Sequence, residues 1–101
     1  MDRYLKRAIE LLQGVFKEVN VDPADDTMTK ISASNELPYP GVKRITESGV
    51  KKEYRIDLTA LYDHKRCLYH LEIVSAAPDS QYVKIDISAE AFEAYIRNLF
   101  L

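Results

Sequence analysis

The sequence predicts an α+β fold: a two-layer sandwich in which an antiparallel sheet of about four strands carries an N-terminal and a C-terminal helix on one face. Its expected order is α-β-β-β-β-α. Three observations carry this. Apolar residues recur at helical spacing near both ends. Three central segments alternate apolar and polar residues with period two. The 101 residues, 47% apolar and 30% charged, suit one core, so residues 1–101 are expected to form a single domain.

The first helix has Leu5, Ala8, Ile9, Leu12, Val15, Phe16 and Val19 on its apolar side and Asp2 as its N-cap. Residues 20–40 read as a less regular, acidic, proline-containing connection. Within it, Asp22-Pro23 resembles a helix start with Asp25 and Asp26 in the following turn, and 27–33 could instead be an edge strand. A short strand is expected at 42–46, before a Ser48-Gly49 turn.

Three strands then follow. Their inward sides are Tyr54, Ile56, Leu58, Ala60 and Tyr62; Cys67, Tyr69, Leu71 and Ile73; and Val83, Ile85 and Ile87. Ser88 caps the last helix, whose apolar stripe is Phe92, Tyr95, Ile96, Leu99 and Phe100.

Residues directly opposite each other in a sheet share a face. Pairing Tyr62 with Cys67 leaves a four-residue loop at 63–66, and Ile73 falls opposite Val83. The outward rows are then Leu61 beside Leu68; Thr59, His70 and Asp86; Asp57, Glu72 and Lys84; and Arg55, Val74 and Tyr82.

The net charge is -2, and the most basic stretch, 41–66, carries seven basic and four acidic residues. That excess is too small for a duplex-binding surface. No apolar run could span a bilayer, the N-terminus leads into no signal-peptide core, and Cys67 is the sole cysteine. A cytoplasmic location is therefore expected, with no membrane partner. With three glycines and no P-loop or dinucleotide-binding turn, a phosphate-cradling backbone is not expected either.

Four constellations invite a chemical reading. His64, Cys67 and His70 have a spacing suggestive of zinc, but Cys67 and His70 lie an odd number apart on a strand and would face opposite sides. They read better as a loop histidine, a core cysteine and a surface histidine. Thr59, His70 and Asp86 combine a hydroxyl, an imidazole and a carboxylate, yet a flat sheet face offers no oxyanion hole, so a hydrolase ranks last.

Lys43, Arg44, Lys51, Lys52 and Arg55 form a basic 43–55 hairpin that could meet phosphate, making a small nucleic-acid-binding domain the second reading. The α-β-β-β-α part of the order resembles that of double-stranded RNA-binding domains. Their last helix begins with a lysine cluster, whereas this one begins Ser88-Ala89-Glu90. Leu61, Leu68, Val74 and Tyr82 are apolar groups on the outward face, accompanied by Arg55, Asp57, Glu72, Lys84 and His70.

The leading expectation is a small non-enzymatic interaction or regulatory module: an adaptor, inhibitor, chaperone or subunit. It acts through the open sheet face on another protein or on a second copy of itself. No cofactor and no metal is expected.

Overall fold

The computed structural model describes residues 2–35, 46–47, 50–51, 56–75 and 81–100. Among them the elements run α1 (Arg3–Val15), β1 (Glu18–Asp25), β2 (Met28–Asn35), β3 (Thr46–Glu47), β4 (Val50–Lys51), β5 (Ile56–Asp63), β6 (Leu68–Ser75), β7 (Gln81–Ser88) and α2 (Ala89–Phe100). β1-β2-β5-β6-β7 form one antiparallel sheet, and β3-β4 form a separate two-stranded pair. The α+β class and the flanking helices agree with expectation, but the main sheet has five strands rather than about four.

The difference lies in the acidic connection. Residues 18–35 form a β-hairpin on the edge of the sheet, with Val19 opposite Ala33 and Val21 opposite Ile31. Asp22-Pro23 does not start a helix. It belongs to β1, whose register shifts between Pro23 and Asp25. Asp25 serves the hairpin turn instead, its Oδ1 accepting from the Thr27 backbone N–H at 2.7 Å and from the Thr27 hydroxyl at 2.9 Å. A short acid hydrogen-bonding two residues on is a turn former, and here it displaces the helix-start reading.

α1 starts where Asp2 Oδ1 accepts from the Tyr4 backbone N–H at 2.8 Å. It ends one turn earlier than the periodicity suggests. Phe16 is extended (φ -107, ψ 144), closing the helix with its N–H on the Leu12 carbonyl at 2.8 Å. Phe16 and Val19 still reach the core from outside the helix. α2 opens on Ser88, whose Oγ accepts from the Ala91 N–H at 3.3 Å, as expected of its cap.

Both helices lie on one face, over Leu58, Ala60, Tyr62, Tyr69, Leu71 and Ile73. Leu5, Leu12, Phe92 and Ile96 fill the layer between. Most core residues expected from the periodicities and described by the structure are buried, but Ile9, Val15, Val19, Val83, Ile87 and Tyr95 are only half-buried and Leu99 is exposed. Ile85 is likewise only half-buried, because β7 is an edge strand. Cys67 is exposed and lies in the β5–β6 turn at φ 50.

That turn also corrects the register. Tyr62 pairs with Tyr69, not Cys67, and Asp63 pairs with Leu68. The buried Asp63 carboxylate accepts from the Lys65 and Arg66 N–H groups at 3.0 and 3.2 Å, holding the turn over 64–67. The loop keeps its expected length but moves by one residue, so each pair shifts by two. A shift of two preserves side-chain parity, so the inward and outward assignments of the strand residues survive.

Candidate functional site

The helices leave the opposite face of the sheet bare among the described residues. Its rows cross five strands: Glu18, Ser34, Asp57, Val74 and Tyr82; Asn20, Ser32, Thr59, Glu72 and Lys84; and Asp22, Lys30, Leu61, His70 and Asp86. A shorter row holds Met28, Asp63, Leu68 and Ser88.

The β6–β7 half of the expected rows stands: His70 with Asp86, Glu72 with Lys84, and Val74 with Tyr82. The β5 half does not. Leu61 is opposite His70 rather than Leu68, Thr59 is opposite Glu72, and Asp57 is opposite Val74. The like-charge pair of Asp57 with Glu72 therefore does not form.

The register shift changes the row that held Thr59, His70 and Asp86. His70 Nδ1 lies 2.6 Å from Asp86 Oδ1, but the residue facing the imidazole from β5 is Leu61. Thr59 moves from the position opposite His70 to the diagonal, with Glu72 now opposite it. The zinc-like spacing also disperses. The His64 ring meets the Thr29 hydroxyl at 2.7 Å, Cys67 sits in the turn, and His70 is on the open face with Asp86. Among the described residues no group of three or more His, Cys, Asp or Glu could hold a metal ion.

Two large apolar side chains stand out on this face. Val74 is 40% and Tyr82 61% exposed, side by side on β6 and β7. The Tyr82 hydroxyl donates to Glu72 Oε2 at 2.9 Å, so its ring leans along the diagonal. That bond to a carboxylate raises the phenol above its ordinary titration range. Leu61 and Leu68 are half-buried diagonal neighbours toward the other end. Among the described residues the charges on this face are mostly acidic: Glu18, Asp22, Asp57, Glu72 and Asp86 against Lys30 and Lys84.

Lys43, Arg44, Lys52 and Arg55 lie outside the described residues. The backbone of Lys51 is in β4, opposite Thr46. Sequence reasoning missed Glu18, Asn20, Asp22, Lys30, Ser32 and Ser34 as members of the open face. The alternation of Val19 and Val21 with Asn20 and Asp22 was the available signal, partly hidden by the helical spacing that runs into Val19.

On the helical side, one polar cluster is buried beneath the start of α1. The Tyr62 hydroxyl donates to Asp2 Oδ2 at 2.8 Å, and the Tyr69 hydroxyl donates to the Tyr4 carbonyl at 3.3 Å. Tyr69 stacks on Phe92 with centroids 4.2 Å apart. Burial pushes both phenols up, and for Tyr62 the hydrogen bond to Asp2 adds to it. Burial alone would raise Asp2, but the Tyr62 hydroxyl and the Tyr4 and Leu5 N–H groups outweigh it and hold the carboxyl below its usual range. The Tyr62 and Tyr69 hydroxyls join the start of α1 to the sheet, which makes the cluster a structural clasp.

No family model, no curated protein and no solved structure matches this chain. No helix among the described residues is long and apolar enough to cross a membrane.

Proposed function

We propose that this chain is a non-enzymatic protein-interaction module whose open sheet face receives a basic partner surface. The observation that carries the reading is the pairing of Val74 and Tyr82, exposed side by side within a field of five carboxylates and two lysines. Apolar anchors supply contact energy, and the surrounding charges set orientation and reject like-charged partners. The same acidity disfavours a phosphate backbone on this face. An adaptor, inhibitor, chaperone or regulatory subunit would all use such a surface.

The test is affinity capture from an extract of the source cell, with and without nuclease, comparing the native chain with Val74→Lys plus Tyr82→Ala. Both positions point away from the core, so the far-ultraviolet circular dichroism should be unchanged. A protein captured by the native chain, insensitive to nuclease and lost with the double variant, fits the reading. Equal capture by both chains, or capture that disappears with nuclease, contradicts it.

A further inference from the structure

We infer that β7 is a self-pairing edge, and that two copies of this chain join through it into one continuous ten-stranded sheet. This uses the outer edge of β7, where Lys84 and Asp86 reach the rim of the open face, and does not rest on the function proposed above.

The sheet has two edges, and they are built differently. On β1, Pro23 lacks an N–H, the register shifts between Pro23 and Asp25, and Glu18, Asp22 and Asp25 place carboxylates along the strand. Prolines, irregularities and charges are the usual means of keeping an edge from pairing. β7 carries the opposite charges Lys84 and Asp86 but no proline and no register shift. It runs unbroken from Gln81 to Ser88, and among the described residues no strand pairs with its outer side.

The flank of β7 is also apolar. Val83, Ile85 and Ile87 point to the helical side but are only half-buried. Above them, α2 turns Glu90, Glu93 and Phe100 toward α1, where they meet Tyr4, Arg7 and Phe16. Residues two apart on a helix lie roughly 160° from each other, so Ala91, Tyr95 and Leu99 form the stripe facing away from α1. Leu99 is 42% exposed. Edge strand and helix stripe together make one apolar strip beside a backbone edge that no described strand pairs.

Charge selects the occupant and the register. An antiparallel pair of identical strands related by a two-fold axis through Ile85 sets Ile85 against its own copy and Val83 against Ile87 of the second copy. It also sets Lys84 against Asp86 of the second copy, twice. Within each chain Glu72 is already opposite Lys84, and His70 opposite Asp86. Across the axis the row becomes His70, Asp86, Lys84 and Glu72, with acidic and basic groups alternating. An axis through Lys84 would oppose two lysines, and one through Asp86 two aspartates.

The helices permit the same arrangement. A two-fold axis perpendicular to the sheet keeps both helical layers on one side. α2 packs over β6 and β7. Two such helices flanking the axis lie about two strand spacings apart, roughly 10 Å, which is within the range for packed helices.

The experiment is sedimentation equilibrium of the native chain, of Lys84→Glu, of Asp86→Lys, and of an equimolar mixture of the two variants. Each variant turns both cross-axis pairs into like-charge pairs and should weaken self-association at least about tenfold. In the mixture every pair is opposite in sign again, because the introduced glutamate faces the introduced lysine and the native Asp86 faces the native Lys84. The mixture should therefore recover the dimer. Circular dichroism confirms that each variant is folded. A native chain that stays monomeric up to about 1 mM overturns the inference. So does a dimer indifferent to both variants, or a mixture that associates no better than its components.

Discussion

Replacing Tyr62 by Phe removes one hydroxyl from the clasp between α1 and the sheet, and the structure fixes what that should cost. The phenylalanine ring keeps the contacts with Tyr69 at 4.7 Å and with His64 at 4.8 Å, so no cavity opens. What is lost is a 2.8 Å hydrogen bond to the Asp2 carboxylate. A hydrogen bond to a charged acceptor contributes about 1.5–3 kcal/mol, and Asp2 is half-exposed and keeps its bond from Tyr4, so the lower end applies. At about 1.5 kcal/mol, the melting temperature should fall by roughly 6–12 °C for a chain of this size.

The pH dependence follows from Asp2. Its carboxyl titrates lower in the folded chain than in the unfolded chain. The stabilisation is therefore fully present above the unfolded value of about 3.9 and is lost as pH falls through the lower folded value. Urea unfolding of the native chain and of Tyr62→Phe at neutral and at strongly acid pH measures the difference. The gap between them should shrink at acid pH, where the carboxyl is neutral and the hydrogen bond weaker. An equal gap at both pH values would refute the reasoning, because the hydroxyl would then not be acting through the Asp2 charge.

Leu71→Ala should cost about 2–5 kcal/mol by urea unfolding, since Leu71 is fully buried in the core between sheet and helices. Cys67→Gly should leave stability unchanged or raise it by up to about 1 kcal/mol, because glycine accepts φ 50 without strain; the native thiol should also react with a maleimide without denaturant. Ser88→Ala removes the cap of α2 and should cost about 1 kcal/mol, visible as a lower urea midpoint at unchanged slope.

Much of the fold was legible because burial imposes a period on the sequence. The two helices, the strands β5 to β7 and the inward set from Leu12 to Ile96 follow from spacing alone. Of the β1–β2 hairpin, β2 was legible as the alternative strand over 27–33, though it pairs on both sides rather than lying at the edge; β1 was not legible, for two physical reasons. Val19 continues the helical spacing of α1, although Phe16 has already turned extended. Asp22-Pro23 and Asp25 carry helix-start chemistry, but in the fold they serve an irregular edge strand and a turn.

The β5–β6 register was misread because parity cannot distinguish shifts of two residues, and the deciding contact is the Asp63 carboxylate gathering the turn's N–H groups. That shift matters most for the candidate site. It removes Thr59 from the His70 row and separates Leu61 from direct pairing with Leu68, while Val74 and Tyr82 remain adjacent. The charged character of the face was only half visible, since Glu18 and Asp22 lie on the unread β1 and Lys30 on β2, which was legible only as an alternative.

The central claim is that the acidic sheet face, bare among the described residues, is where this chain meets its partner. Covalent labelling of carboxylates and tyrosines, read residue by residue by mass spectrometry on the free chain and on the captured complex, tests it most directly. Glu72, Asp86 and Tyr82 should lose reactivity in the complex, while Glu10 and Glu93 on the helical side keep theirs. Protection of Glu10 and Glu93 with Glu72 and Tyr82 unchanged would contradict the account and place the partner on the helices.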